Sequence, residues 1–146
     1  SQMRMNSPLY LLDTDHLTLL ERGGETCQTL QMKLAQVNTD RISSTIISYE
    51  EQNEVVSQGA QVRGTEAQVR IYQKLEQHLR LFASMPLFSF DLAAAMEFEG
   101  FVGLIDVWVM DLKIAAIATT QNAVVLTRNL SDFGQISELQ AEDWSK

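Results

Sequence analysis

The sequence predicts an α/β domain whose central sheet is mostly parallel and flanked by helices, and three observations predict it. Short apolar or β-branched runs (Pro8 to Asp13, Ile42 to Ser48, Leu87 to Phe90, Ala123 to Thr127) alternate with longer segments of helical periodicity. The run that begins Ala123-Val124-Val125-Leu126 is continuously apolar, the pattern of a strand covered on both faces. Asp111 to Thr120 is a helix apolar nearly all round, which marks it as buried. Strands and helices in alternation build a parallel sheet with helices on both sides.

The elements follow in order. Leu, Tyr and Leu carry the first strand to Asp13, after which Thr14 or Asp15 can cap a helix through Leu17, Leu20 and Arg22, stopped by Gly23-Gly24. A second helix spans Glu25 to Gln36, with Leu30 and Leu34 on one face. Ile42 to Ser48 is β-branched and hydroxyl-rich and reads as a strand, followed by a helix from Tyr49 to Ser57. Thr65 to Phe82 has the best helical periodicity, with Val69, Tyr72, Leu75, Leu79 and Phe82 three or four apart. Arg63, Arg70 and Lys74 form a stripe on its opposite side, read as a solvated face. Pro86 ends that segment, a strand covers Leu87 to Phe90, and Asp91 caps an alanine-rich helix that ends near Gly100 to Gly103. Phe133, Ile136, Leu139 and Trp144 give the tail apolar anchors.

The 146 residues fit one domain, 1–146, with residues 1–7 expected to be disordered or left over from expression. A single cysteine, Cys27, excludes an intramolecular disulfide and a cysteine-rich zinc site, and agrees with a cytoplasmic location. On an amphipathic helix it reads as a packing residue. The most apolar region, Phe88 to Thr127, is broken by six charged residues, so no membrane span is expected. Eleven Lys and Arg stand against nineteen Asp and Glu, a net charge of −8. That balance opposes a general phosphate-binding surface.

Four acids stand out: Asp13 and Glu51 directly after predicted strands, Asp111 at the start of the buried helix, and Asp132 a short turn after the last strand. In open α/β sheets, ligands sit beyond the carboxyl ends of the strands, where these four can converge. Four carboxylates together repel unless a cation or protons relieve the charge. An all-oxygen set suits Mg²⁺ or Mn²⁺, and such an ion supports phosphodiester hydrolysis. The ordinary reading stands beside each: Asp15 and Asp91 as helix caps, Glu50 as a solvated neighbour, Asp132 as a turn former. His16 and His78 fit surface or helix-packing roles. No Gly-x-Ser-x-Gly elbow or phosphate-cradling glycine loop occurs.

Four motifs carry a resemblance that spans nearly the whole chain: Leu-Leu-Asp-Thr-Asp at 11–15, Ile-Ile-Ser-Tyr-Glu-Glu-Gln at 46–52, Met-Asp-Leu-Lys-Ile-Ala-Ala-Ile-Ala at 110–118, and Leu-Thr-Arg-Asn-Leu-Ser-Asp-Phe at 126–133. With the closing Glu-Asp-Trp at 142–144, the chain resembles the PIN-domain ribonucleases, most closely the VapC-type toxins of bacterial toxin–antitoxin pairs. The resemblance implies a PIN-like domain whose acidic quartet is Asp13, Glu51, Asp111 and Asp132, with Thr127 near the metal; Arg128, the next residue, reads either as a contact to the RNA backbone or as a surface residue. The resemblance also implies a Mg²⁺- or Mn²⁺-dependent endoribonuclease acting on structured RNA, a homodimer, and an antitoxin that inserts an Arg-bearing segment into the acidic site.

The departures lie close to the quartet. Where the resembled proteins tend to carry Arg-Gly-Trp after the second acid, this chain has Glu54-Val55-Val56; before the third it has Asp106-Val107-Trp108-Val109 in place of Arg-Ile-Gly-Thr. Two basic positions have become acidic. They favour an alternative function, a PIN-fold binding module with weakened catalysis that acts through a protein partner, whereas the intact quartet opposes it.

Overall fold

The computed structural model describes residues 7–59, 61 and 63–146. Residues 1–6 of the expected disordered segment lie outside them; the carbonyl of Ser7 accepts from Arg41 Nη2 at 2.7 Å. Five strands form the sheet: β1 Leu9–Leu12, β2 Ile42–Thr45, β3 Leu87–Phe88, β4 Ala123–Leu126 and β5 Gln140–Glu142. Their order is β3-β2-β1-β4-β5, and every pairing is parallel. Seven α-helices flank it among the described residues: α1 Thr14–Arg22, α2 Glu25–Ala35, α3 Ile46–Gly59, α4 Thr65–Ala83, α5 Leu92–Phe101, α6 Val109–Gln121 and α7 Leu130–Phe133. Among the described residues no helix is long and apolar enough to cross a membrane.

Side chains alternate across the strands and divide the core in two. Leu11 and Val125 face one cluster with Ile114, Ala115, Ile117, Ala118 and Phe133. Leu12, Val124 and Leu126 face the other with Leu17, Leu30, Phe82 and Trp144. Helix α6 supplies the first cluster and is buried from Ile114 to Ala118, as its uniformly apolar sequence predicts. Each fully buried Leu or Ile contributes about 1.5–3 kcal/mol, so these two layers fix the strand ends firmly. Cys27 is buried in α2 as a packing residue.

Several boundaries differ from expectation, each for a local reason. The cap of α1 is Asp13 itself, not Thr14 or Asp15. β2 stops at Thr45 because the Thr45 hydroxyl accepts from Ser48 N–H at 3.1 Å, which starts α3 three residues early in spite of the β-branched Ile46-Ile47. β3 is two residues long, and Asp91 caps α5 by accepting from Ala94 N–H at 2.9 Å. Helix α4 forms where its periodicity predicts, yet only His78 and Phe82 are buried; Val69, Tyr72, Leu75 and Leu79 are exposed, and Arg63 precedes the helix.

Candidate metal centre

The chain order makes β1 to β3 run outward on one side of β1, then returns through α6 to place β4 on the other side. The gap beyond the carboxyl ends of β1 and β4 is thus the point where the order reverses, the usual location of a ligand crevice. Asp13 ends β1 there. Its backbone N–H donates to the Leu126 carbonyl at 2.9 Å, and its carboxylate accepts from Thr14 N–H (Oδ1, 2.7 Å) and from the Thr127 hydroxyl (Oδ2, 2.8 Å). Only 5% of Asp13 is exposed.

The other three acids gather around it. Asp111 stands in the first turn of α6, where the positive end of the helix favours a charge. Asp132 lies in α7, and the Asn129 side-chain amide joins the two, donating to Asp111 Oδ2 (3.2 Å) and Asp132 Oδ2 (2.8 Å). Glu51 comes from α3, its Oε1 accepting from the Thr14 hydroxyl at 2.9 Å, while Glu50 is exposed. Thr127 is fully buried, and its hydroxyl both serves Asp13 and accepts from Asn129 N–H at 2.9 Å. It holds carboxylates and does not face solvent; Arg128 beside it is exposed.

Crowding shows in the protonation equilibria. Burial, then the charge of Asp15, pushes Asp13 up to about 7 against the relief from Thr127 and Thr14. Asp111 is pushed up to about 6 by burial and by Asp132, with Asp15 adding to it. Glu51 is raised by burial, then by Asp111, Glu50 and Glu54, with Thr14 opposing. Neutral hydroxyls and amides are what this cluster uses to bear its charge. Lys113, two places after Asp111, lies over the rings of Phe90 and Phe98 at 5.8 and 5.7 Å.

Three residues of this network went unread in the sequence. Asp15 is no cap: it accepts from Arg128 N–H at 3.0 Å and contributes to the field on Asp13 and Asp111. Asn129 and Thr14 are the direct tethers of the quartet. The signal was their position, inside two of the motifs and one or three residues from an acid. His16 is buried, not on the surface, with Nδ1 2.7 Å from Asp15 Oδ1.

The donor set suits a hard cation, since it is all oxygen and strained by like charge. The fit is one of chemistry and not of a preformed cage: among the described residues no three carboxylates stand together as a ready ligand sphere.

No protein-family model matches the chain, and no curated protein matches it by sequence. Solved structures do. A chain of VapBC-1 from nontypeable Haemophilus influenzae aligns with TM-score 0.75 and 21% identity, over 94% of this chain and 98% of that one. A chain of the DNA-bound VapBC from Salmonella typhimurium aligns with TM-score 0.74 and 20% identity, over 94% and 99%. A chain of VapBC2 from Rickettsia felis, bound to a DNA fragment from their promoter, aligns with TM-score 0.71 and 21% identity, over 92% and 98%. The chain therefore has the PIN-like α/β fold of the VapC toxins in these toxin–antitoxin complexes.

Proposed function

We propose that this chain is a Mg²⁺- or Mn²⁺-dependent endoribonuclease, the toxin of a type II toxin–antitoxin pair, hydrolysing phosphodiester bonds in structured RNA. The observation that supports it best is Asp13. It is a carboxylate withdrawn from water and pressed by Asp15 and Asp111, with neutral donors as its hydrogen-bond partners. Such an arrangement costs stability by itself and is relieved by a divalent cation. Asp13, Glu51, Asp111 and Asp132 would hold the ion, which when bound lowers the pKa of a water and offsets charge on a phosphate.

The chain's own residues do the rest. Thr127 and Thr14 fix the orientation of Asp13 and Glu51, and Asn129 keeps Asp111 and Asp132 from splaying apart. Arg128, exposed beside the crevice, is free to contact an RNA phosphate. Partners follow from the same reading: a cognate antitoxin carrying an Arg into the acidic crevice, and a second copy of the chain covering apolar surface. The neighbouring structures are of VapBC, two of them bound to DNA.

Glu54 and Asp106, exposed acids where the resembled nucleases tend to be basic, favour the second reading, a binding module with weakened catalysis. One assay separates them. Purified protein is incubated with a mixed pool of structured RNA in Mn²⁺, in Mg²⁺ and in chelator, beside Asp111→Ala. Metal-dependent cutting that falls at least about 100-fold in the variant is the expected result. Folded, metal-loaded protein that leaves the pool intact would transfer the proposal to the binding module.

A further inference from the structure

Asp15 connects two parts of the molecule that the quartet does not. Its Oδ2 accepts from Arg128 N–H at 3.0 Å and lies 3.3 Å from the Thr127 hydroxyl, whereas its Oδ1 is 2.7 Å from Nδ1 of His16. The His16 ring is fully buried, and its Nε2 accepts from the backbone N–H of Trp144 at 3.1 Å. A nitrogen that accepts carries no hydrogen, so the neutral imidazole keeps its proton on Nδ1 and donates it to Asp15. Asp143 Oδ1, 3.7 Å from Nε2, is engaged instead by Ser145 N–H at 2.9 Å.

Trp144 is a firm anchor for this ring. It is buried, packs on Tyr10 with ring centroids 4.6 Å apart, and its indole N–H donates to Glu142 Oε1 at 3.0 Å. Hydrogen bonds therefore run without a break from the closing segment, through His16 and Asp15, to the turn at 127–129. That turn carries the hydroxyl that fixes Asp13 and the amide that joins Asp111 to Asp132.

We infer that Asp15 and His16 are a positioning pair, in which the Trp144 backbone fixes the imidazole, the imidazole orients Asp15, and Asp15 holds the 127–129 turn that sets the carboxylate crevice. The consequence for metal rests on the function proposed above; the ordering of the turn does not. His78 makes a comparable pair away from the crevice: it is equally buried, with Nε2 3.0 Å from Glu21 Oε2, so burial beside a carboxylate does not by itself mark a positioning histidine, and the bonds from Asp15 to the 127–129 turn are what distinguish His16.

Two substitutions at position 16 separate positioning from packing. His16→Asn keeps an amide donor near the place of Nδ1, and His16→Gln keeps an acceptor near the place of Nε2. Each leaves one buried hydrogen bond unmade, so a packing role predicts equal effects. A positioning role predicts that His16→Asn, which keeps the donor to Asp15 and gives up only the Trp144 anchor, speeds exchange of the Arg128 and Asn129 amides less than His16→Gln does and weakens Mn²⁺ by no more than about threefold. His16→Gln then speeds exchange of both amides and weakens Mn²⁺ about tenfold. Asp15→Asn, at a partly exposed side chain that tolerates change, gives the same phenotype as His16→Gln. Equal losses in the two position-16 variants, or unchanged amide exchange in both His16→Gln and Asp15→Asn, would overturn the pair. A parent protein that binds no Mn²⁺ while the amides still respond as described would overturn the metal centre and leave the pair standing.

Discussion

At the carboxyl ends of β1 and β4, acidic side chains are withdrawn from water, whereas between Leu92 and Val109 large apolar side chains face it. Asp13 is 5% exposed, while Leu92, Met96, Leu104 and Trp108 are 65% exposed or more. Both regions invert the usual partition of residues, and both meet at the first turn of α6, where Val109 is exposed and Asp111 half-buried. Local rules are broken where a structure answers to something other than its own stability. The buried acids lack positive charge and the exposed corner lacks apolar cover. One asks for a cation and the other for a protein surface.

The largest expected effect breaks the acidic side of this comparison. Asp13 and Asp111 bind protons more tightly in the folded than in the unfolded chain, and Glu51 shifts the same way. Folding therefore takes up protons between about pH 4 and 7, and in chelator stability falls as pH rises through that window. Asp13→Asn retains an N-cap residue and removes the charge, so at pH 8 it should be more stable than the parent by about 2–4 kcal/mol. Thermal unfolding in chelator from pH 5 to 8 checks this. With Mn²⁺ added, the parent's trend should reverse, because the ion competes with the same protons. A parent melting temperature flat across pH in chelator would remove the electrostatic case for the metal.

The apolar corner is tested by association. Leu104→Glu combined with Trp108→Gln touches side chains that contribute little to the monomer's core, so stability should stay within about 0.5 kcal/mol. Sedimentation should show the parent as a dimer and the double variant as a monomer. A monomeric parent would leave the corner to a different protein partner.

How far the sequence went differs between the same two kinds of region. The buried layers were legible, because Leu11, Ile114 to Ile117 and Val124 to Leu126 cannot be satisfied anywhere but under helices on a parallel sheet. The quartet was legible as positions, each acid lying at a strand or helix end. The tethers were not. Thr14, Asp15 and Asn129 are residues that caps and turns use everywhere, and only the folded chain shows which carboxylate each one meets. β5 was missed because Gln140–Glu142 has no strand signal of its own and exists by pairing with β4. The buried face of α4 was misread for a related reason: its apolar stripe repeats correctly, but the packing surface offered by the rest of the chain falls on His78 and Phe82.

The smallest expected effect concerns Glu54 and Asp106, both exposed, which stand where the resembled nucleases tend to be basic. Glu54 also raises Glu51, so changing it acts on the crevice and on its approach together. Glu54→Arg with Asp106→Arg should strengthen binding of structured RNA and steepen the dependence of log K on log salt by about one for each phosphate newly contacted. Glu54→Gln with Asp106→Asn removes the repulsion without adding a contact; it should strengthen binding less and add no such per-contact increment to the slope. If both pairs behave alike, the acids matter only through repulsion, and RNA does not run past positions 54 and 106. If neither pair changes binding, these two acids lie off the RNA path, and the expectation moves to a protein partner: reversing them should weaken binding of an Arg-bearing peptide, which would join the acidic rim to the apolar corner as partner-facing surface.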